Sequence, residues 1–198
     1  MIQIDVCLPS GKETHFTVSQ SSKVGDIRIL SQRYFGQGFL RLVNPRGQAL
    51  PDTDLLLEAD LQEGEHLTAI ALEIKISATN DAFALWCCGG NQIVTWGSRD
   101  AGGDNSALHG QFRNVKQVQA AKDGAFAAIL ADGSVVTWGD PSYGGDSSPV
   151  QPQLQNVQYV VSTYAAFAAI LADGSVVTWG FADSGGDSSA VQDQLLYL

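Results

Sequence analysis

Positive charge is scarce in this sequence, with 11 Lys and Arg against 21 Asp and Glu and a formal net charge of −10. The shortage is concentrated late. Residues 1–76 hold 7 basic and 10 acidic side chains, whereas residues 77–198 hold Arg99, Arg113, Lys116 and Lys122 against 11 acidic ones. Binding to a phosphate backbone needs clustered Lys and Arg that release counterions, so nucleic acid is not an expected partner. No apolar run reaches 18 residues, and the opening MIQIDVCLPSGKE carries Asp5 and no signal-peptide core, so neither a membrane span nor secretion is expected. The reading is a soluble protein of the cytoplasm or nucleus.

Chemistry-bearing residues are equally sparse. His15, His66 and His109 are isolated from one another, and no nucleophile–base pair can be assembled around them, so no catalytic residue is expected. The phosphate-cradling Gly-x-x-x-x-Gly-Lys-Ser/Thr loop does not occur. Cys7, Cys87 and Cys88 have no metal-ligand spacing and are odd in number, which suits a reducing compartment. Cys87 and Cys88 stand where a repeat, described next, has apolar strand residues, and are expected in the core rather than in redox chemistry. Neither a metal nor another cofactor is expected.

Glycine is abundant, at 21 residues, and implies many tight turns and little helix. The segment AFAAILADGSVVTWG occurs at 125–139 and again, letter for letter, at 166–180, with a looser copy AFALWCCGGNQIVTWG at 82–97. Trp96, Trp138 and Trp179 set a period of 41 to 42 residues, and each is followed by a Gly-rich loop: WGSRDAGGDNS, WGDPSYGGDSS and WGFADSGGDSS. Within a unit, the β-branched and aromatic runs FAAIL and SVVTW flank Ala-Asp-Gly, which predicts hairpins turning at Asp132–Gly133 and Asp173–Gly174. NVKQV at 114–118 and NVQYV at 156–160 supply a third strand, and a short edge strand is expected near Gln153–Leu154. Four short strands in about 41 residues describe a propeller blade.

The order of alanine-rich strand, Asp-Gly turn, Val-x-Trp-Gly strand and Gly-Gly loop resembles the repeats of the regulator of chromosome condensation family across residues 77–198. Gly-Gly-Asp-Asn-Ser or Gly-Gly-Asp-Ser-Ser stands where that family usually has Gly-Gln-Leu-Gly. Its propellers usually close with seven blades, whereas three units are present here, and Leu198 aligns with Val157 at the start of a next strand. An arc of three blades, an incomplete ring, leaves edges and apolar faces uncovered. The expectation is therefore either a piece of a longer protein or self-association through open blade edges.

Residues 1–74 carry no copy of the repeat. Strands are predicted at Ile2–Leu8, Thr14–Val18, Leu40–Val43, Gln48–Leu50 and Leu67–Leu72, with a further segment at Leu55–Leu57. A helix is predicted from about Lys23 to Tyr34, capped by Ser21 or Ser22 and buried along Val24, Ile27, Leu30 and Tyr34. This order, with Gly11-Lys12 in the first turn, Leu40-Arg41-Leu42-Val43 before Gly47-Gln48, and Leu67 opening the last strand, resembles ubiquitin. The resemblance implies an α+β β-grasp domain at 1–74, followed by all-β propeller-type repeats at 75–198. It also implies a docking patch at Leu8, Val43 and Ile70, beside Thr68 where the family usually has histidine. For Val43 and Ile70 the alternative reading is plain sheet packing. A conjugated tag would end in Gly-Gly, but this chain runs on as EIKISATNDAF, so the domain is expected to be integral. Gly89-Gly90 is expected to be a hairpin turn and not a processing site.

Asp104, Asp146 and Asp187 recur in the loops and are candidate binding residues. Oxygen-rich loops bind calcium, but Gly-Asp β-rolls repeat every nine residues, and a period of 41 to 42 favours aspartates that hold their own turns. The three repeat tryptophans are expected as core between blades in preference to stacking platforms. Taken together, the resemblances imply a non-catalytic protein–protein interaction module. They also leave open the N-terminal part of a larger HECT-type ubiquitin ligase, or a nucleotide exchange factor for a small GTPase.

Overall fold

A computed structural model describes residues 1–195, so the alignment of Leu198 with Val157 lies outside the described residues. The chain divides into two compact units, Met1–Glu73 and Ile74–Leu198.

In the first unit, strands β1 (Ile2–Cys7) and β2 (Glu13–Val18) form a hairpin, helix α1 follows at Val24–Phe35, and β3 (Phe39–Val43) and β4 (Glu65–Leu72) complete a sheet of order β2-β1-β4-β3. The central pair β1 and β4 is parallel and the outer pairs are antiparallel. Alternation along β1 buries Ile2, Ile4 and Val6, which meet Val24, Ile27 and Phe35 of α1 and Leu40, Leu42 and Leu67 of the later strands. This mixed sheet with a helix on one face has a ubiquitin-like arrangement.

Three details differ from expectation. The helix cap is Lys23, whose N–H donates to the Asp26 carboxylate (2.9 Å), whereas the Ser21 hydroxyl is bonded to Ser19. The buried stripe is Val24, Ile27, Ser31 and Phe35, while Tyr34 is exposed. Ser31 enters the core because its hydroxyl donates to the Ile27 carbonyl (2.8 Å), one turn back. The predicted strand at Gln48–Leu50 reduces to a single bridge between Val43 and Ala49, and Leu55–Leu57 to a turn bridged at Lys23–Leu55, so the order is β-β-α-β-β.

The second unit holds three antiparallel three-stranded sheets. They are β5 (Ile74–Ala78), β6 (Ala82–Cys87) and β7 (Ile93–Gly97), then β8 (Gln117–Ala121), β9 (Ala125–Ile129) and β10 (Val135–Gly139), then β11 (Val157–Ser162), β12 (Ala166–Leu171) and β13 (Val176–Gly180). The hairpins turn at Asp132–Gly133 and Asp173–Gly174, each Asp accepting the N–H of the Ser two residues on at 2.9 Å. The expected fourth strand is replaced: Gln151–Gln153 is a single 3-10 turn, because Pro152 has no N–H to give a ladder. Gly89 and Gly90 close the first hairpin and exchange backbone bonds with Val115 (both 2.8 Å). Cys87 and Cys88, expected in the core, are half-exposed at that same turn.

Successive sheets pack face to face. Ala82, Ala84, Trp86 and Ile93 of the first sheet lie in one core cluster with Phe126, Ala128, Leu130 and Trp138 of the second. Ala125, Ala127, Ile129 and Val135 lie in the next with Phe167, Ala169, Val177 and Trp179 of the third. The first strands of the sheets adjoin, held by Ser77 donating to Val118 (2.8 Å) and Ser162 donating to Ala120 (2.7 Å). Alanine on β6, β9 and β12 allows the sheets to approach closely, and burying each phenylalanine contributes about 1.5–3 kcal/mol. The three sheets do not close into a ring. No helix among the described residues is long and apolar enough to cross a membrane.

Candidate functional site

The repeated feature of the second unit is a loop that leaves each sheet after its Trp-Gly pair. Its first glycine is left-handed in all three copies, Gly102 (φ 90°), Gly144 (φ 97°) and Gly185 (φ 96°), and only glycine holds that conformation cheaply. In the first two copies the Trp of the following sheet comes down on that glycine: Trp138 Nε1 donates to the Gly102 carbonyl (3.1 Å) and Trp179 Nε1 to the Gly144 carbonyl (3.0 Å). Each Trp also stacks on a Phe of its own sheet, Phe126 and Phe167, at 5.1 and 5.2 Å between ring centres. The tryptophans are thus core, as expected, at Trp138 and Trp179 (5% and 4% exposed), but Trp96, in the first sheet, is 42% exposed.

Two residues beyond each left-handed glycine lies a candidate binding aspartate. Asp104, Asp146 and Asp187 each accept the backbone N–H of a serine two residues on, Ser106, Ser148 and Ser189, at 2.9 Å in every copy. These bonds favour the charged form and lower all three carboxyl pKa values below the usual Asp range. The backbone bond from Ser106 leads at Asp104, aided by Arg99 at 3.2 Å; the Ser148 hydroxyl leads at Asp146, and the backbone bond from Ser189 at Asp187. One carboxylate oxygen of each is therefore committed to the turn. Among the described residues no group of three or more His, Cys, Asp or Glu is placed to hold a metal ion.

Beneath the loops runs a polar relay that the sequence reading missed. In the second sheet Thr137 and Ser147 share a hydrogen bond (3.0 Å), Ser147 donates to Gln151 (2.7 Å), and Gln151 donates to the Val135 carbonyl (3.0 Å). Thr178, Ser188, Gln192 and Val176 repeat it in the third. The first copy has Asn105 and His109 at the Ser and Gln positions, and there Asn105 reaches the equivalent Ile93 carbonyl directly (2.8 Å). The recurrence of Thr, Ser and Gln at fixed spacing was the signal available in the sequence. An open groove of about 910 Å³, lined by Leu108, Gln111, Thr137, Ser147, Gln151 and Leu154 among others, lies over the second relay.

In the first unit two of the candidate patch residues share one face of the sheet but differ in exposure. Val43 and Ile70 lie on the neighbouring strands β3 and β4, but Val43 pairs with Thr68 and Ile70 with Arg41, so the two are diagonal neighbours. Val43 is buried beside the bridge to Ala49, Ile70 is exposed, and Leu8, just past β1, packs half-buried against the core. Thr68 lies beside Cys7, with oxygen and sulfur 3.9 Å apart, and His66 beside Asp5 at 3.5 Å. Ile70 is thus the exposed apolar member of the three.

No family model matches the chain, and no curated protein matches it. Among solved structures, a ubiquitin of Caldiarchaeum subterraneum is similar at 22% identity, covering 35% of this chain and 91% of that chain, with a TM-score of 0.34.

Proposed function

We propose that this chain is a non-catalytic protein–protein interaction module, in which a non-conjugated ubiquitin-like domain is joined to repeats of the regulator of chromosome condensation type. The observation that supports it is the repetition of one loop in three copies, each fixed by a left-handed glycine and an Asp-Ser turn. Loops held in one conformation by a packed scaffold bind with little ordering cost. Asp100, Asp104, Asp140, Asp146, Asp183 and Asp187 make their rim acidic, with Arg99 the basic residue among them, so the partner surface they suit is a basic one. The exposed Ile70 on the first unit gives a second contact.

The test places photo-crosslinking residues at Ser148 and Ser189 in the full chain and follows a captured protein by titration. Binding that weakens at least tenfold with Asp146→Ala and Asp187→Ala together supports the reading. A captured partner indifferent to both loop substitutions and to Ile70→Asp overturns it.

A further inference from the structure

Inside the second unit one interface is built twice, and each of its halves is also left open once. One half is a stacked Phe–Trp pair: Phe126 with Trp138 is covered by the first sheet, and Phe167 with Trp179 by the second. The other half is an Ala-x-Ala face closed by Trp86 in the first sheet and Ile129 in the second, with its Gly-Gly loop. Ala125, Ala127 and Ile129 with Gly144 receive the third sheet, and an added Cβ on Gly144 would stand 2.7 Å from the Phe167 ring.

The first sheet presents the Phe–Trp half uncovered. Phe83 and Trp96 stack at 5.3 Å and 18°, nearly the geometry of the buried pairs (5.1 Å and 14°, 5.2 Å and 16°), yet Phe83 is 44% exposed. Trp96 Nε1 donates to no described residue, unlike its two counterparts. The third sheet presents the other half: Ile170 is 43% exposed where its repeat equivalent Ile129 is 1% exposed, and Gly185 has nothing within 4 Å of an added Cβ among the described residues. Phe83, Leu85, Val94 and Trp96 on one face, and Ala168, Ile170 and Val176 on the other, carry no charge. Exposed apolar faces of this kind mark association surfaces.

We propose that two copies of this chain associate head to tail, the Phe83–Trp96 face of one seated on the Ile170–Gly185 face of the other, with Trp96 Nε1 donating to the Gly185 carbonyl. The occupant is a second copy because the chain itself shows this contact twice, between sheets that are copies of one repeat. The contact is heterologous, so the pair retains one open face of each kind, one on each copy, and further copies add until a ring closes or a filament grows. The proposal does not depend on the partner reading above, since it is tested on the purified chain alone.

The experiment is sedimentation of the full chain over a range of concentrations, with Phe83→Asp and Ile170→Asp prepared separately and mixed. Wild-type protein is expected to exceed 21.0 kDa as concentration rises, and each variant alone to remain at 21.0 kDa. An equimolar mixture of the two variants is expected to form a species of twice that mass, because each supplies the face the other lacks. A wild-type chain that stays monomeric at several hundred micromolar overturns the proposal, as does association that persists in either variant alone or a mixture that stays monomeric. A readout free of substitutions accompanies it: acrylamide reaches one tryptophan of four, Trp96, in the monomer, and that quenchable fraction is expected to fall with concentration. A constant fraction counts against the interface.

Discussion

At the residue scale, the three copies satisfy one backbone carbonyl in two ways. Val135 and Val176 receive a glutamine supported by serine, whereas Ile93 receives Asn105 alone, with His109 in the glutamine position. Asparagine spans by itself what serine and glutamine span together. Replacing Asn105→Ser removes the donor to a carbonyl under a buried side chain and is expected to cost about 1–3 kcal/mol. Adding His109→Gln to that variant is expected to recover most of the loss by building the relay of the other two copies. Urea midpoints of the single and double variants check this; a double variant no more stable than the single one would show that the first loop cannot hold the relay. This pattern was readable in the letters, since Thr, Ser and Gln recur at fixed spacing. The exposure of Trp96 was not: Trp96, Trp138 and Trp179 occupy one position in the repeat, and what separates them is whether a sheet lies in front. Burial here is a property of the neighbour, which a single repeat does not encode.

At the scale of the element, the left-handed glycines divide by what stands above them. Gly144 and Gly185 have nearly the same φ, 97° and 96°, but only Gly144 is covered by a phenylalanine ring. Alanine at either site strains the backbone by about 1–2 kcal/mol. At Gly144 it also forces the Phe167 ring away, adding about 1–3 kcal/mol of overpacking. Gly144→Ala is therefore expected to lower stability more than Gly185→Ala, by that second amount, in thermal or urea melts at dilute concentration; equal losses would mean that the sheet contact is softer than the distances imply. The hairpins were legible because Asp-Gly between β-branched runs has few other readings. The fourth strand was misread because apolar Leu154 suggested a strand while Pro152 had already removed the N–H a ladder needs. The helix stripe was misread by one position for a similar local reason, the back-bonded Ser31.

For the molecule as a whole, the middle sheet of the second unit is the one covered on both faces. All five residues of β9 are buried, whereas the first and third sheets each leave one face to solvent. In a stack whose units contact only their neighbours, stability is shared through interfaces, and the ends open first. Hydrogen exchange is expected to be slowest in Ala125–Ile129 and faster in β6 and β12; uniform protection across the three would mean that the repeats open as one block. The repeat architecture was legible from its period and the mixed sheet of the first unit from its order of elements, but the number of strands per repeat was not, since it turns on a 3-10 turn at Gln151–Gln153.

Each tryptophan bond in the stack points backwards along the chain, from Trp138 to Gly102 and from Trp179 to Gly144. During synthesis, the carbonyl that a tryptophan needs has therefore left the ribosome some 35 residues before the tryptophan itself. Assembly can proceed in the direction of translation, each tryptophan bond closing on a loop that is already made, while forward bonds such as Ser77 to Val118 form once the next repeat has followed.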